Sequence, residues 1–149
     1  MVAIGFCEDR APLHRMLGRE PGSWGFHSDD GRLYEDGGLS WSGIKYHEPY
    51  EEKNVTIGCG VNFAKNTAFY TKDGEVIGQV FNGIRGKLYP AVSMDFSQKG
   101  WEVFAVFPGE DGKSEDFVFK GDFEGEQTLT PPELSGEWRS SDEDSESNS

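Results

Sequence analysis

Positive charge is scarce in this sequence: 14 lysines and arginines stand against 27 aspartates and glutamates, a formal net charge of −13. Binding to nucleic acid or to an anionic membrane draws on clustered cations that release counterions, so the composition argues against both classes of partner. A basic or cationic partner fits the overall charge better. Long apolar runs are also missing, and no stretch approaches the ~18 residues of a membrane-spanning helix. Cysteine is reduced to Cys7 and Cys59. Each lies in an alternating apolar stretch, where a free thiol packs as a small hydrophobe. Met1 to Cys7 is too short, and has no basic leader, to act as a secretory signal, so a disulfide is not expected and a cytoplasmic or nuclear placement is. Catalytic constellations are absent as well. There is no Gly-x-Ser-x-Gly elbow and no phosphate-binding loop, the strand acids are placed singly, and His14 and His47 stand alone. His27, Asp29 and Asp30 could suggest a metal, but Asp-Asp-Gly between two apolar runs reads first as a turn. No catalytic residue, metal or cofactor is nominated.

What the sequence does contain is turn formers and aromatics. With 20 glycines, 7 prolines and short apolar runs, the pattern favours many short strands joined by tight turns over helices. Val55, Ile57, Cys59, Val61 and Phe63 recur at every second position, which places them on one buried face of a strand. Gly58 and Gly60 fall on the opposite face, where another backbone is expected to approach closely. Asp73-Gly74 predicts a hairpin over Asn66 to Phe81, because glycine accepts the positive φ of a two-residue turn. Asp30-Gly31 predicts a second hairpin, joining Ser23–His27 to Arg32–Glu35. Val2 to Cys7 reads as a buried strand and Glu8 to Gly22 as a long loop over one end of the sheets. Gly37 to Lys53 reads as a surface connection with a short strand near Trp41. Leu88 to Asp95, Trp101 to Phe107 and Phe117 to Phe119 complete the expected strands.

Several of these stretches carry a family pattern. Ile4-Gly5-Phe6-Cys7, Arg15-Met16-Leu17-Gly18, Ser23-Trp24-Gly25-Phe26-His27-Ser28-Asp29-Asp30-Gly31, Ile57-Gly58-Cys59-Gly60-Val61-Asn62, Phe69-Tyr70-Thr71-Lys72-Asp73-Gly74 and Leu88-Tyr89-Pro90-Ala91-Val92 resemble, in order and spacing, the SPRY domain, and within it the Ran-binding protein M type. The resemblance covers about Ile4 to Phe119. It implies an all-β fold, a bent two-layer antiparallel β-sandwich of the concanavalin-like kind, used as a protein-interaction module without enzymatic activity. In Ran-binding protein M relatives that module belongs to a ubiquitin-ligase scaffold. SPRY domains begin with strands upstream of the position matched by Gly5, so a sandwich lacking its opening strands is expected. It would expose Val2 to Cys7 or Trp101 to Phe107 as an edge and associate with itself through that edge.

The division expected is a sandwich over residues 1–120 and an acidic, Pro/Ser-rich tail over 121–149, disordered after 139. Relatives of the SPRY-and-SOCS-box type bind peptides with loops at one end of the sandwich. The matching positions nominate Glu8, Asp9, Arg10, Arg15, Met16, Arg19, Glu20, Phe96, Lys99 and Trp101 as partner-binding residues, with Met16, Phe96 and Trp101 as apolar anchors. A lectin-like module is the alternative from a different class, with Trp41 or Tyr46 stacking on sugar, and a non-functional fragment of a larger SPRY protein is the other alternative.

Overall fold

The computed structural model describes residues 1–38, 43–84, 86–95, 97, 100, 102–107 and 119. Within these, every regular element is a strand: β1 (Val2–Glu8), β2 (Ser23–His27), β3 (Arg32–Glu35), β4 (Ile44–Lys45), β5 (Ile57–Asn62), β6 (Thr67–Lys72), β7 (Glu75–Asn82) and β8 (Leu88–Met94). They form two antiparallel sheets, one ordered β4-β3-β2-β1-β8 and the other β5-β6-β7. No helix among the described residues is long and apolar enough to cross a membrane.

Local chemistry accounts for the hairpins. Asp73 and Gly74 take φ of 51° and 84°, so both central residues of the β6–β7 turn have the left-handed backbone that the twist of the flanking strands requires. Lys72 pairs with Glu75 across it. In the β2–β3 turn, Asp30 accepts the Arg32 amide with Oδ1 at 2.9 Å and the Tyr34 hydroxyl with Oδ2 at 2.7 Å.

The core lies between the sheets. Phe6 and Phe26 from the larger sheet meet Ala68, Tyr70 and Val80 from the smaller one. Tyrosine hydroxyls tie the layers together: Tyr70 on β6 donates to Ile4 O at 3.2 Å, and Tyr46 donates to Gly78 O on β7 at 2.8 Å. Tyr50 donates to Phe26 O at 2.7 Å. Each polar tip has a partner, so the rings can be buried without an orphaned hydroxyl. Gly5 is required where Tyr70 reaches β1, because a Cβ there would strike the Trp24 carbonyl and lie 2.9 Å from Tyr70 Oη.

The structure corrects several expectations. Tyr46 and Tyr50 bring part of the supposed surface connection into the core, because an aromatic with a hydrogen-bonded tip is stable there. The short strand near Trp41 is β4, and Trp41 itself lies outside the described residues. Phe63 is 58% exposed: β5 ends at Asn62, whose Oδ1 accepts the Lys65 amide at 3.1 Å and turns the chain. Gly58 and Gly60 do not admit a backbone. The Thr71 side chain and the Phe69 ring of the neighbouring strand fill that space. Val2 to Cys7 is no edge, since β1 is paired on both sides. Glu102 to Phe107 forms no strand. Trp101, Phe117, Val118 and the tail over 121–149 lie outside the described residues, and Phe119 packs its ring 5.8 Å from that of Phe69.

Candidate partner-binding face

The loop between β1 and β2 builds the candidate site, and it crosses the outer face of the larger sheet instead of projecting from its end. Leu17 packs there with Ala3 and Cys7, with Met16, Tyr89 and Ala91 around them. Gly25 permits the crossing, because a Cβ on it would stand 2.7 Å from both Cβ and O of Leu17. Gly18, at φ 83°, supplies the left-handed residue that turns the chain back.

Hydrogen bonds hold this loop along its length. Leu17 donates its amide to Ser93 Oγ at 3.1 Å, and Gly18 donates to Ser23 Oγ at 2.9 Å. Ser23 in turn donates to Glu20 O at 2.8 Å. Glu8 N bonds Gly22 O at 2.8 Å and closes the base. Beneath the loop, fully buried His27 places Nε2 2.8 Å from Leu17 O. A carbonyl only accepts, so Nε2 carries the proton and Nδ1 holds a lone pair, which has no protein partner. Burial pushes the imidazole below its usual range, against the opposing pull of the Leu17 carbonyl and Asp30. The ring lies 4.1 Å from that of Tyr34, and the Arg19 guanidinium lies 4.3 Å from the Tyr34 centroid. Burial, and then the bond to Asp30, push the Tyr34 hydroxyl up to about 12.

The loop and the end of β8 form an open groove that includes Leu13, Arg15, Met16, Arg19, Met94 and Val103. Of the nominated residues, the fold therefore brings Arg15, Met16 and Arg19 together. Glu20 holds Arg15: its carboxylate accepts from Arg15 Nε at 2.9 Å and lies 3.2 Å from His14 Nε2. Glu8 and Asp9 sit at the other end of the loop, where Glu8 pairs with Leu88 and Asp9 accepts the Tyr89 hydroxyl at 3.3 Å. Arg10 is exposed between the two groups. Phe96, Lys99 and Trp101 lie outside the described residues. Sequence reasoning passed over Leu13, which is 80% exposed. Its only signal was an apolar residue between Pro12 and His14 in a stretch with no periodicity.

Other candidate chemistries fare differently. Tyr46 is no sugar platform, because its ring packs against Phe26 and Tyr70. Asp30 is occupied as a turn acceptor, and no metal-holding group of His, Cys, Asp and Glu occurs among the described residues.

Comparison with known proteins gives concordant matches. The SPRY domain family profile matches residues 1–106. A Ran-binding protein M homolog of Arabidopsis thaliana is 36% identical over 93 residues, covering 62% of this chain and 19% of that protein. A Ran-binding proteins 9/10 homolog of Drosophila melanogaster is 36% identical over 117 residues, 78% of this chain and 12% of that protein. The dual specificity protein kinase splA of Dictyostelium discoideum is 33% identical over 71% of this chain and 4% of its own length. The chain thus spans less than a fifth of each of these relatives. A crystal structure of a human SPRY domain superposes with a TM-score of 0.54 at 30% identity, covering 62% of this chain and 59% of that one.

Proposed function

The chain belongs to the SPRY domain family, a protein-interaction fold, and on that premise we propose that it is an adaptor that grips an extended segment of a partner protein with its β1–β2 loop. The observation that carries the reading is the state of that loop: it is fixed to the sheet by backbone and side-chain bonds, yet it leaves Leu13 exposed. A pre-ordered loop loses little entropy on binding, and an exposed apolar side chain rimmed by charge has the make-up of an interface anchor.

Charge refines the choice of segment. Between Asp9 and Glu20 the sequence has Arg10, Arg15 and Arg19 and no acid. With Glu20 paired to Arg15 and Asp95 on the groove, these cations still outnumber the acids beside them, against the sign of the whole chain. The partner segment on this reading places an acidic residue beside an apolar one, and the cationic rim steers it. The likeness to Ran-binding protein M homologs supports a place in a ubiquitin-ligase type complex, as the element that recruits a substrate or scaffold subunit inside the cell.

Affinity capture with the full chain tests both levels. Recovery of ligase subunits supports the adaptor role, and their absence removes it. Leu13→Asp should weaken capture at least about tenfold while changing stability by less than about 1 kcal/mol, as for other surface changes. Unchanged capture would take the groove out of the interface. Retention on glycans instead of protein would favour a lectin-like module.

A further inference from the structure

A second surface stands out, on the opposite side of β8 from β1. β8 is an outermost strand of its sheet, and no strand among the described residues pairs with its outer side. The ladder tells which backbone groups face outward. Asp95 N donates to Met1 O at 2.9 Å, and antiparallel partners alternate between bonded and non-bonded pairs. Tyr89, Ala91 and Ser93 therefore bond to Cys7, Gly5 and Ala3, whereas Leu88, Pro90, Val92 and Met94 turn their backbone groups away from β1. Pro90 is tolerated in the strand for this reason, since its missing N–H faces the open side.

The outer row is complementary to itself about a twofold axis. With Ala91 on the axis, Leu88 meets Met94 of the second copy and Pro90 meets its Val92. Each Leu88–Met94 pair closes two hydrogen bonds and each Pro90–Val92 pair one, the proline lacking its donor. Beyond them Lys87 stands opposite Asp95, twice by symmetry, and both are exposed in the single chain. These two residues lie at non-bonded positions of the new ladder, where side chains approach most closely. Ala91, where the copies meet, is small.

Other registers lose these features. Centring on Val92 sets Lys87 against Ser97 and Asp95 against Tyr89, and centring on Pro90 sets two prolines together and Lys87 against Ser93. Val92, 44% exposed in the single chain, loses exposure in the Ala91-centred register. We propose that β8 pairs edge to edge with β8 of a second copy in this register, so that the two larger sheets become one continuous sheet across an isologous interface.

Sedimentation and light scattering on the full chain, from micromolar to hundreds of micromolar, read the equilibrium. The net charge of −13 per copy opposes association, so the measurement belongs at physiological salt, where the screening length is about 8 Å. A monomer–dimer equilibrium is expected. Lys87→Asp or Asp95→Lys alone should raise the dimer dissociation constant about tenfold, by turning two attractive pairs into repulsive ones, and the double variant should restore it. Both positions are exposed, and Lys87→Asp should leave folding unaffected, whereas Asp95→Lys gives up the bond that Asp95 Oδ1 accepts from the Ser97 amide at 2.9 Å and is read beside its own thermal melt. Hydrogen exchange at Leu88, Val92 and Met94 should slow on dimerisation, with Tyr89, Ala91 and Ser93 slow in both states. A monomer throughout would overturn the proposal, as would a dimer indifferent to the charge reversals. So would slow Val92 and Met94 amides in a monomer, which would mean that the chain covers its own edge. Lys87 lies outside the groove, whose lining includes Val92, Met94 and Asp95. Lys87→Asp should therefore weaken the dimer and leave partner capture unchanged, so failure of the partner-binding groove and failure of this edge are separable.

Discussion

At the scale of single residues, the packing leaves Gly5 without slack. Gly5→Ala drives a methyl into the Trp24 carbonyl and against Tyr70, and neither backbone nor buried ring can retreat cheaply. A loss of about 3 kcal/mol in chemical denaturation is expected. His27 is buried neutral with its pKa lowered. Protonation is therefore easier in the unfolded chain, and this contribution to stability is full above the unfolded histidine pKa of about 6.5 and is lost as pH falls from there through the folded value. Glu35, raised by burial and by Asp36, acts in the opposite sense nearer the carboxylate range. His27→Gln keeps an N–H for the Leu17 carbonyl but cannot titrate. Thermal melts between about pH 7.5 and 5.5 should fall for the native chain and stay nearly flat for the variant. Parallel curves would show that another group drives the acid sensitivity.

At the scale of elements, what was legible in the sequence was what depends on neighbours along the chain. Asp73-Gly74 and Asp30-Gly31 fix their hairpins through turn chemistry that four residues carry between them, and Gly74→Ala should cost about 1 kcal/mol by denaturation because φ is 84° there. The β1–β2 loop was legible as a loop but not in its placement. Its course over the sheet depends on Gly25, Ser93 and His27, which are distant from one another in sequence and carry no local mark of the contact. Tyr46 and Tyr50 were hidden for a similar reason, since a tyrosine in a polar, turn-rich stretch has the same sequence context whether its ring is inside or outside. Of the candidate site, the Arg15, Met16 and Arg19 cluster came from matching the family's loop. Leu13 did not, because exposure of one apolar residue leaves no periodic trace.

At the scale of the whole molecule, strand order is the property that periodicity cannot supply. Val2 to Cys7 alternates as any strand might, and only its pairing with both β2 and β8 makes it interior. The charge imbalance also acts at this scale. With a net charge of −13, self-repulsion opposes the compact state, and salt screens it. Raising ionic strength from low to physiological should raise the melting temperature, and a fall would mean that local ion pairs such as Lys72–Glu52 at 3.0 Å outweigh the global term.

The tyrosine hydroxyls that span the sheets have a consequence in alkali. Burial raises the pKa of Tyr46, Tyr50 and Tyr70, so the fold retains protons that an unfolded tyrosine gives up near pH ~10. Stability must then decline as pH climbs past that point. Ionised phenol absorbs ultraviolet light at longer wavelength than neutral phenol. These three rings should therefore stay dark in that band until the sandwich opens and then brighten together, giving the protein a built-in optical record of its own unfolding.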